Sequence, residues 1–153
     1  MLDKIKGGVL VVKLGSEVAG ENITLEIFKS KTKIKPLYSN NKISVEIEIK
    51  TEVTIGEHTT KVDFISEKGI ISLKKAAEEQ LEAEIKNVIQ KVQNDFKADI
   101  FGFGSTVYRN MSSLWKEEEK EWNTIFKDLE VSVNTNIEIV HSGLLTKPVR
   151  TGD

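Results

Sequence analysis

The chain has 153 residues, 39% of them hydrophobic and 30% charged, which suits one globular domain with a real core and argues against disorder. Its 22 basic and 24 acidic residues leave a net charge of −2, without the basic excess of a nucleic-acid binder. With no cysteine, disulfide scaffolds, cysteine nucleophiles and thiolate metal sites are excluded. The longest apolar run, Val9 to Val12, is far too short to cross a bilayer, and no signal-peptide pattern opens the chain.

Gly7-Gly8 leads into VLVVKLG, a β-branched run that reads as a strand. In NITLEIFKSKTKIKP, Ile23, Leu25 and Ile27 alternate with polar residues before the apolar phase moves to Phe28 and Ile34. A strand keeps its faces, so the phase change predicts a bulge near Phe28 to Ser30. Pro36 is expected to end the pairing, and Ser39-Asn40-Asn41 supplies turn residues. In the next run Ile43, Val45, Ile47, Ile49, Thr51, Val53 and Ile55 share one face, while Glu46, Glu48, Lys50 and Glu52 share the other. That is a half-buried antiparallel strand. The two runs should form a long hairpin, with Lys31 and Lys33 opposite Glu48 and Glu46 as cross-strand charge pairs.

From Ile71 the period changes from two to about 3.6. Leu73, Ala77, Leu81, Ile85, Val88, Val92 and Phe96 make the apolar stripe of a helix, Ser72 is its expected N-cap, and Glu78, Glu79 and Glu82 fall on its polar side. A second helical pattern, Val107, Met111, Leu114, Trp115, Trp122, Ile125 and Phe126, is expected to break at Ser112-Ser113. Trp115 and Trp122, seven apart, share a helical face and read as core. The chain returns to period two in LEVSVNTNIEIV. This last strand must rejoin the sheet beside either the first strand or the hairpin. Strands segregated from helices give an α+β fold, a mostly antiparallel β-sheet with helices packed on one face.

ADIFGFG, between the two helical patterns, holds a G-x-G. A dinucleotide fingerprint needs a preceding strand and a third glycine, and a P-loop needs Gly-Lys-Ser/Thr; neither is present. The segment is a hinge, its glycines allowing the left-handed backbone a helix end requires, with Phe101 and Phe103 plugging the core. His58 and His141 have no partner at ligand spacing and read as surface or satisfied side chains. No glutamate is marked for the apolar pocket a catalytic carboxyl needs. Lys29, Lys31, Lys33 and Lys35 form a stripe along one strand face, suited to phosphate, anionic lipid headgroups or an acidic partner; the favoured reading is a solvated face neutralised by the neighbouring glutamates.

GGVLVV, SKTKIKP, ADIFGFG, Leu114-Trp115 with Trp122 and Ile125-Phe126, and SGLLTKP occur in this order. Together they resemble the C-terminal domain of the Ger(x)C spore-germination proteins, the C subunits of nutrient germinant receptors. The resemblance runs from Lys6 to Pro148. His141-Ser142 stand where the family often has arginine-threonine, and Ser112 where proline is common. The resemblance implies that residues 1–150 are a single α+β domain, the C-terminal domain of a larger lipoprotein, with 151–153 a tail. It further implies a subunit anchored by lipid on the outer face of the spore inner membrane, with the A and B subunits as partners. No enzyme activity, cofactor or catalytic residue is implied. The expected role is a docking module, with Lys31, Lys33, Lys35, Leu144 and Lys147 as candidate partner contacts. Two other classes stay open: a sensor that binds a small germinant or ion in an apolar pocket with a few polar groups, and a hydrolase with a buried, shifted glutamate or histidine.

Overall fold

A computed structural model describes residues 7–13, 22–56 and 66–140. Four strands, β1 (Val9–Lys13), β2 (Asn22–Ser39), β3 (Lys42–Ile55) and β4 (Glu130–Ile139), form one sheet in the order β1-β2-β3-β4. The first two pairings are antiparallel, and β4 runs parallel to β3. The returning strand therefore joins the hairpin. It runs parallel because the helices between β3 and β4 carry the chain back, a crossover that antiparallel hairpin neighbours do not need.

The hairpin turns on Asn40 and Asn41, both at positive φ (53° and 58°). That is the conformation of the tight turn matching strand twist, and asparagine tolerates it. The turn pairs Ser39 with Lys42 and so sets the register of everything behind it: Lys35 faces Glu46, Lys33 faces Glu48, and Lys31 faces Lys50. The expected pairing of Lys31 with Glu48 and Lys33 with Glu46 is thus off by two residues. Pairing also continues through Pro36, opposite Val45, where a stop is expected from sequence. β1 pairs only with residues 22–26, so β2 is an edge strand at Pro36, the position in a sheet where a missing N–H is tolerated. The expected bulge is present: the register slips between Ile27 and Lys29, and Phe28 is left outside the ladder, 67% exposed.

One face of the sheet is apolar and covered. Its core has two parts. Leu10, Val12, Ile23, Leu25, Val53 and Ile137 pack with Leu73 and Ala77 at one end. Val45, Ile47, Ile49 and Val133 pack with Phe103, Val107, Trp122 and Phe126 at the other. Between them on β2 and β3, the Ser30 and Thr51 hydroxyls are hydrogen-bonded at 2.9 Å. This polar pair sits where the bulge shifts the alternation of β2.

α1 (Glu67–Lys91) lies across the covered face. Its N-cap is Ser66, whose hydroxyl accepts from Gly69 N at 3.1 Å, nearly two turns before the expected Ser72. Leu73, Ala77, Ile89 and Val92 are buried as the stripe predicts or one position from it. Val88 and Phe96 are 54% and 65% exposed, correcting their placement in the core. The reason for Phe96 is a π-helical turn, Val92–Phe96, closed by Lys97 in the left-handed region (φ 51°). The wider turn rotates the last residues out of the α-helical phase.

α1 also closes the two lateral edges of the sheet. Gln80 accepts from Lys13 N at 3.0 Å and donates to Val11 O at 2.7 Å, on the free edge of β1. On the free edge of β4, Glu82 accepts from Thr135 N at 3.0 Å, and Glu78 accepts from Ile137 N at 2.9 Å. Residues two apart on a helix point roughly 200° from each other, so one helix meets β1 on one flank and β4 on the other. The sheet is curled far enough for both outer strands to reach it. Glu78 and Glu82 are therefore edge caps, where sequence placed them in solvent.

Candidate functional site

The ADIFGFG segment is held by one carboxylate. Asp99 Oδ1 accepts from Phe101 N (3.2 Å) and Phe103 N (3.1 Å), and Oδ2 accepts from Gly104 N (2.7 Å) and Trp122 Nε1 (3.1 Å). Three of those donors belong to the turn and first residues of α2 (Phe103–Asn110), amides that a helix start leaves without partners. The fourth belongs to α4 (Trp122–Lys127). Gly102 takes φ 75° in the turn, as the hinge reading requires. Gly104 has no room for a side chain, because a Cβ there would lie 2.7 Å from Trp122 Nε1 and 2.9 Å from Trp115 Cη2.

Around this joint Phe103 is fully buried and stacks on half-buried Phe101, ring centroids 5.2 Å apart. Trp115 and Trp122 meet at 5.3 Å. They sit on different helices, α3 (Ser112–Glu118) and α4, separated by a 3-10 turn, and the break before α3 falls at Met111, φ −139°. Gln93, buried, donates to Phe126 O and Leu129 O at 2.9 Å each and ties the end of α4 to the π-turn. Asp99 and Gln93 carried no role in the sequence reading. The signal for Asp99 was available, since an aspartate four residues ahead of a helix start, before two glycines, is cap chemistry. For Gln93 there was none.

The sheet's other face is polar and open. Lys29 pairs with Glu52 at 3.2 Å, and Lys35 pairs with Glu46 at 3.6 Å and with Glu48. The hydrogen bond from Lys35 lowers the Glu48 carboxyl from its ordinary value, and the same bond raises the Lys35 ammonium. Lys31 and Lys33 make no ion pair among the described residues, and Lys31 faces Lys50 across the hairpin. The stripe is thus neutralised at its ends and open at its centre. Beneath β2, between the sheet and α1, lies an apolar groove of about 450 Å³ lined by Ile34, Ile49, Leu81, Ile85, Val88 and Phe101, with Thr32 and Glu84 as its polar side chains. Leu144, Lys147, His58 and His141 lie outside the described residues.

This architecture has relatives. The family described as "Spore germination B3/ GerAC like, C-terminal" matches residues 1–143. The chain belongs to that spore germination family. Among curated proteins of Bacillus subtilis (strain 168), it is 27% identical to spore germination protein YndF over 90% of this chain and 34% of that protein. It is 28% identical to spore germination protein B3 over 96% of this chain and 38% of that one. The crystal structure of the GerBC protein superposes with a TM-score of 0.76 at 28% identity, covering 90% of this chain and 42% of that chain. The chain spans about a third of the length of the curated relatives it matches. Family and fold class therefore stand as the motifs implied: the C-terminal part of a GerAC-like spore germination protein with a mostly antiparallel α+β fold. Among the described residues no helix is long and apolar enough to cross a membrane.

Proposed function

We propose that this chain is a non-catalytic docking domain of a germinant-receptor C subunit, acting with the A and B subunits when nutrients trigger germination. Residues 1–150 form the domain and 151–153 its tail, in a longer protein held by lipid on the outer face of the spore inner membrane. The observation that supports docking is the division of polar groups. Asp99, Glu78, Gln80, Glu82 and Gln93, polar side chains placed between elements, are committed to backbone hydrogen bonds. Lys31 and Lys33, without an ion pair among the described residues, stand on an open sheet face. Lys35, Leu144 and Lys147 complete the candidate contact set.

Calorimetry of this chain with the soluble part of its cognate A subunit tests the proposal. Nutrient-independent binding supports docking. Absence of binding, with heat evolved on adding a nutrient alone, overturns it in favour of the second reading, a sensor that takes a small germinant in the apolar groove. That groove has the concavity and apolar lining a small-molecule site needs.

A further inference from the structure

Among the described residues the sheet has three stretches of strand edge, and the protein treats them differently. Gln80 caps β1, and Glu78 and Glu82 cap β4. The third stretch is on β2. β1 pairs with β2 only through Glu26, with one further bond from Ile27 N to Gly8 O at 2.7 Å. Over residues 28–34 no described strand or side chain pairs with that edge. Seven residues at about 3.3 Å each make a stretch as long as an ordinary strand.

Two features flank this edge, one on each face of the sheet. Below it runs the apolar groove walled by Ile34, Ile85, Val88 and Phe101. Above it project Lys31 and Lys33, with Lys31 directly opposite Lys50. Like charges facing each other across a pair of strands are unfavourable, and Lys31 lacks a carboxylate directly across the ladder. Lys33 has Glu48 there, and Glu52 and Glu138 lie to the side of the Lys31–Lys50 pair. An additional strand beside β2 would alternate its side chains between the two faces. Those pointing down enter an apolar groove, and those pointing up arrive about 4.8 Å from the lysine-bearing strand.

We infer that the β2 edge at residues 28–34 accepts an extended segment of a partner protein as a fifth strand, one whose residues alternate apolar and acidic. Main-chain hydrogen bonds supply the attachment and the two faces supply the sequence preference, the general logic of strand addition. This deepens the docking reading by naming the partner's chemistry. The assay below contains no receptor subunit, so strand acceptance can fail while docking survives through another surface, and the reverse.

The probe is a nine-residue peptide alternating valine and glutamate, titrated into this chain and followed by calorimetry and by amide hydrogen exchange. Binding with slowed exchange confined to residues 28–34 is expected. Lys31→Glu with Lys33→Glu should weaken it by about tenfold or more, and Val88→Glu, at an exposed helix position, should weaken it without disturbing the fold. A peptide alternating valine and lysine, or one with proline at its centre, should not bind. No binding at about 1 mM peptide, equal binding of the lysine or proline peptide, or indifference to both sets of substitutions would overturn the inference. So would self-association of the chain through residues 28–34 in place of peptide binding, which would make a second copy the occupant.

Discussion

The Asp99 joint and the lysine face of the hairpin use charge in opposite ways. At the joint one carboxylate takes four hydrogen bonds from two helices and a turn. On the hairpin two lysines of a stripe of four have no ion pair among the described residues, and one of them faces a third cation. A charge held by several donors fixes geometry, because its removal strands each of them. A charge left without partners on an open face adds little to stability and keeps its capacity for something outside the molecule. The joint therefore belongs to architecture, and the hairpin face is free of that duty, as the docking proposal requires.

Removing the carboxylate should have the largest effect. Asp99→Ala leaves two backbone amides of α2, the Phe101 amide and the Trp122 indole without their acceptor. A loss of about 3 kcal/mol is expected, since a hydrogen bond to a charged group is worth roughly 1.5–3 kcal/mol and part of the deficit is recovered by water. Urea melts monitored by tryptophan fluorescence measure it. A wild-type midpoint would break the contrast between the two regions. Gly104→Ala should follow at about 2 kcal/mol, the range of overpacking, because its Cβ would meet the indoles of Trp122 and Trp115 at 2.7 and 2.9 Å.

Edge caps come next. Glu82→Ala and Glu78→Ala each free one backbone N–H of β4, at Thr135 and Ile137. Each should lower stability by about 1 kcal/mol. More telling is the expected local readout, faster hydrogen exchange at those two amides with the hairpin unchanged. If exchange accelerates across the whole sheet instead, the caps hold the curl and not merely the edge.

Much of this fold could be read from residue order, and the exceptions share a cause. Alternation over β3, the phase change at Phe28 and the glycine of the α2 turn are local facts, and each appears where expected. The hairpin register is local too, but it depends on turn length: a two-residue turn at Asn40-Asn41 moves Lys31 from Glu48 to Lys50. Glu78, Glu82 and Gln80 were not legible because their partners are backbone groups of strands more than fifty residues away. Helical periodicity sorts polar from apolar and is blind to which polar side chain meets an unpaired amide. The parallel placement of β4 and the apolar groove beside β2 are likewise products of packing that no period encodes.

On the lysine face the expected signs reverse. Lys31→Glu replaces a like-charge pair with Lys50 by an opposite-charge pair, so stability should rise by a few tenths of a kcal/mol. Lys33→Glu instead faces Glu48 and should lose a similar amount. Chemical denaturation of the two single variants measures the difference. If both destabilise beyond about 1 kcal/mol, well outside the usual surface range, the stripe serves folding and the contrast with Asp99 disappears.

The smallest effect belongs to Lys35 and Glu48, the paired end of the same stripe. The hydrogen bond from Lys35, against desolvation, holds Glu48 below its ordinary 4.5. A carboxyl depressed in the folded state contributes stability that is present above its unfolded value and lost as pH falls through its folded one. The same hydrogen bond holds Lys35 above its ordinary 10.5. Its contribution is therefore present below that value and lost as pH rises through the folded one. Between these limits the contribution of the pair should be full and independent of pH, and outside them the wild type should approach Glu48→Gln in stability from above. Thermal melts of both proteins from about pH 3 to pH 8 test the acid limb. Because both groups lie at the surface, salt should shrink the gap between the curves. A gap that persists in high salt would mean that Glu48 supports the strand through something other than its charge.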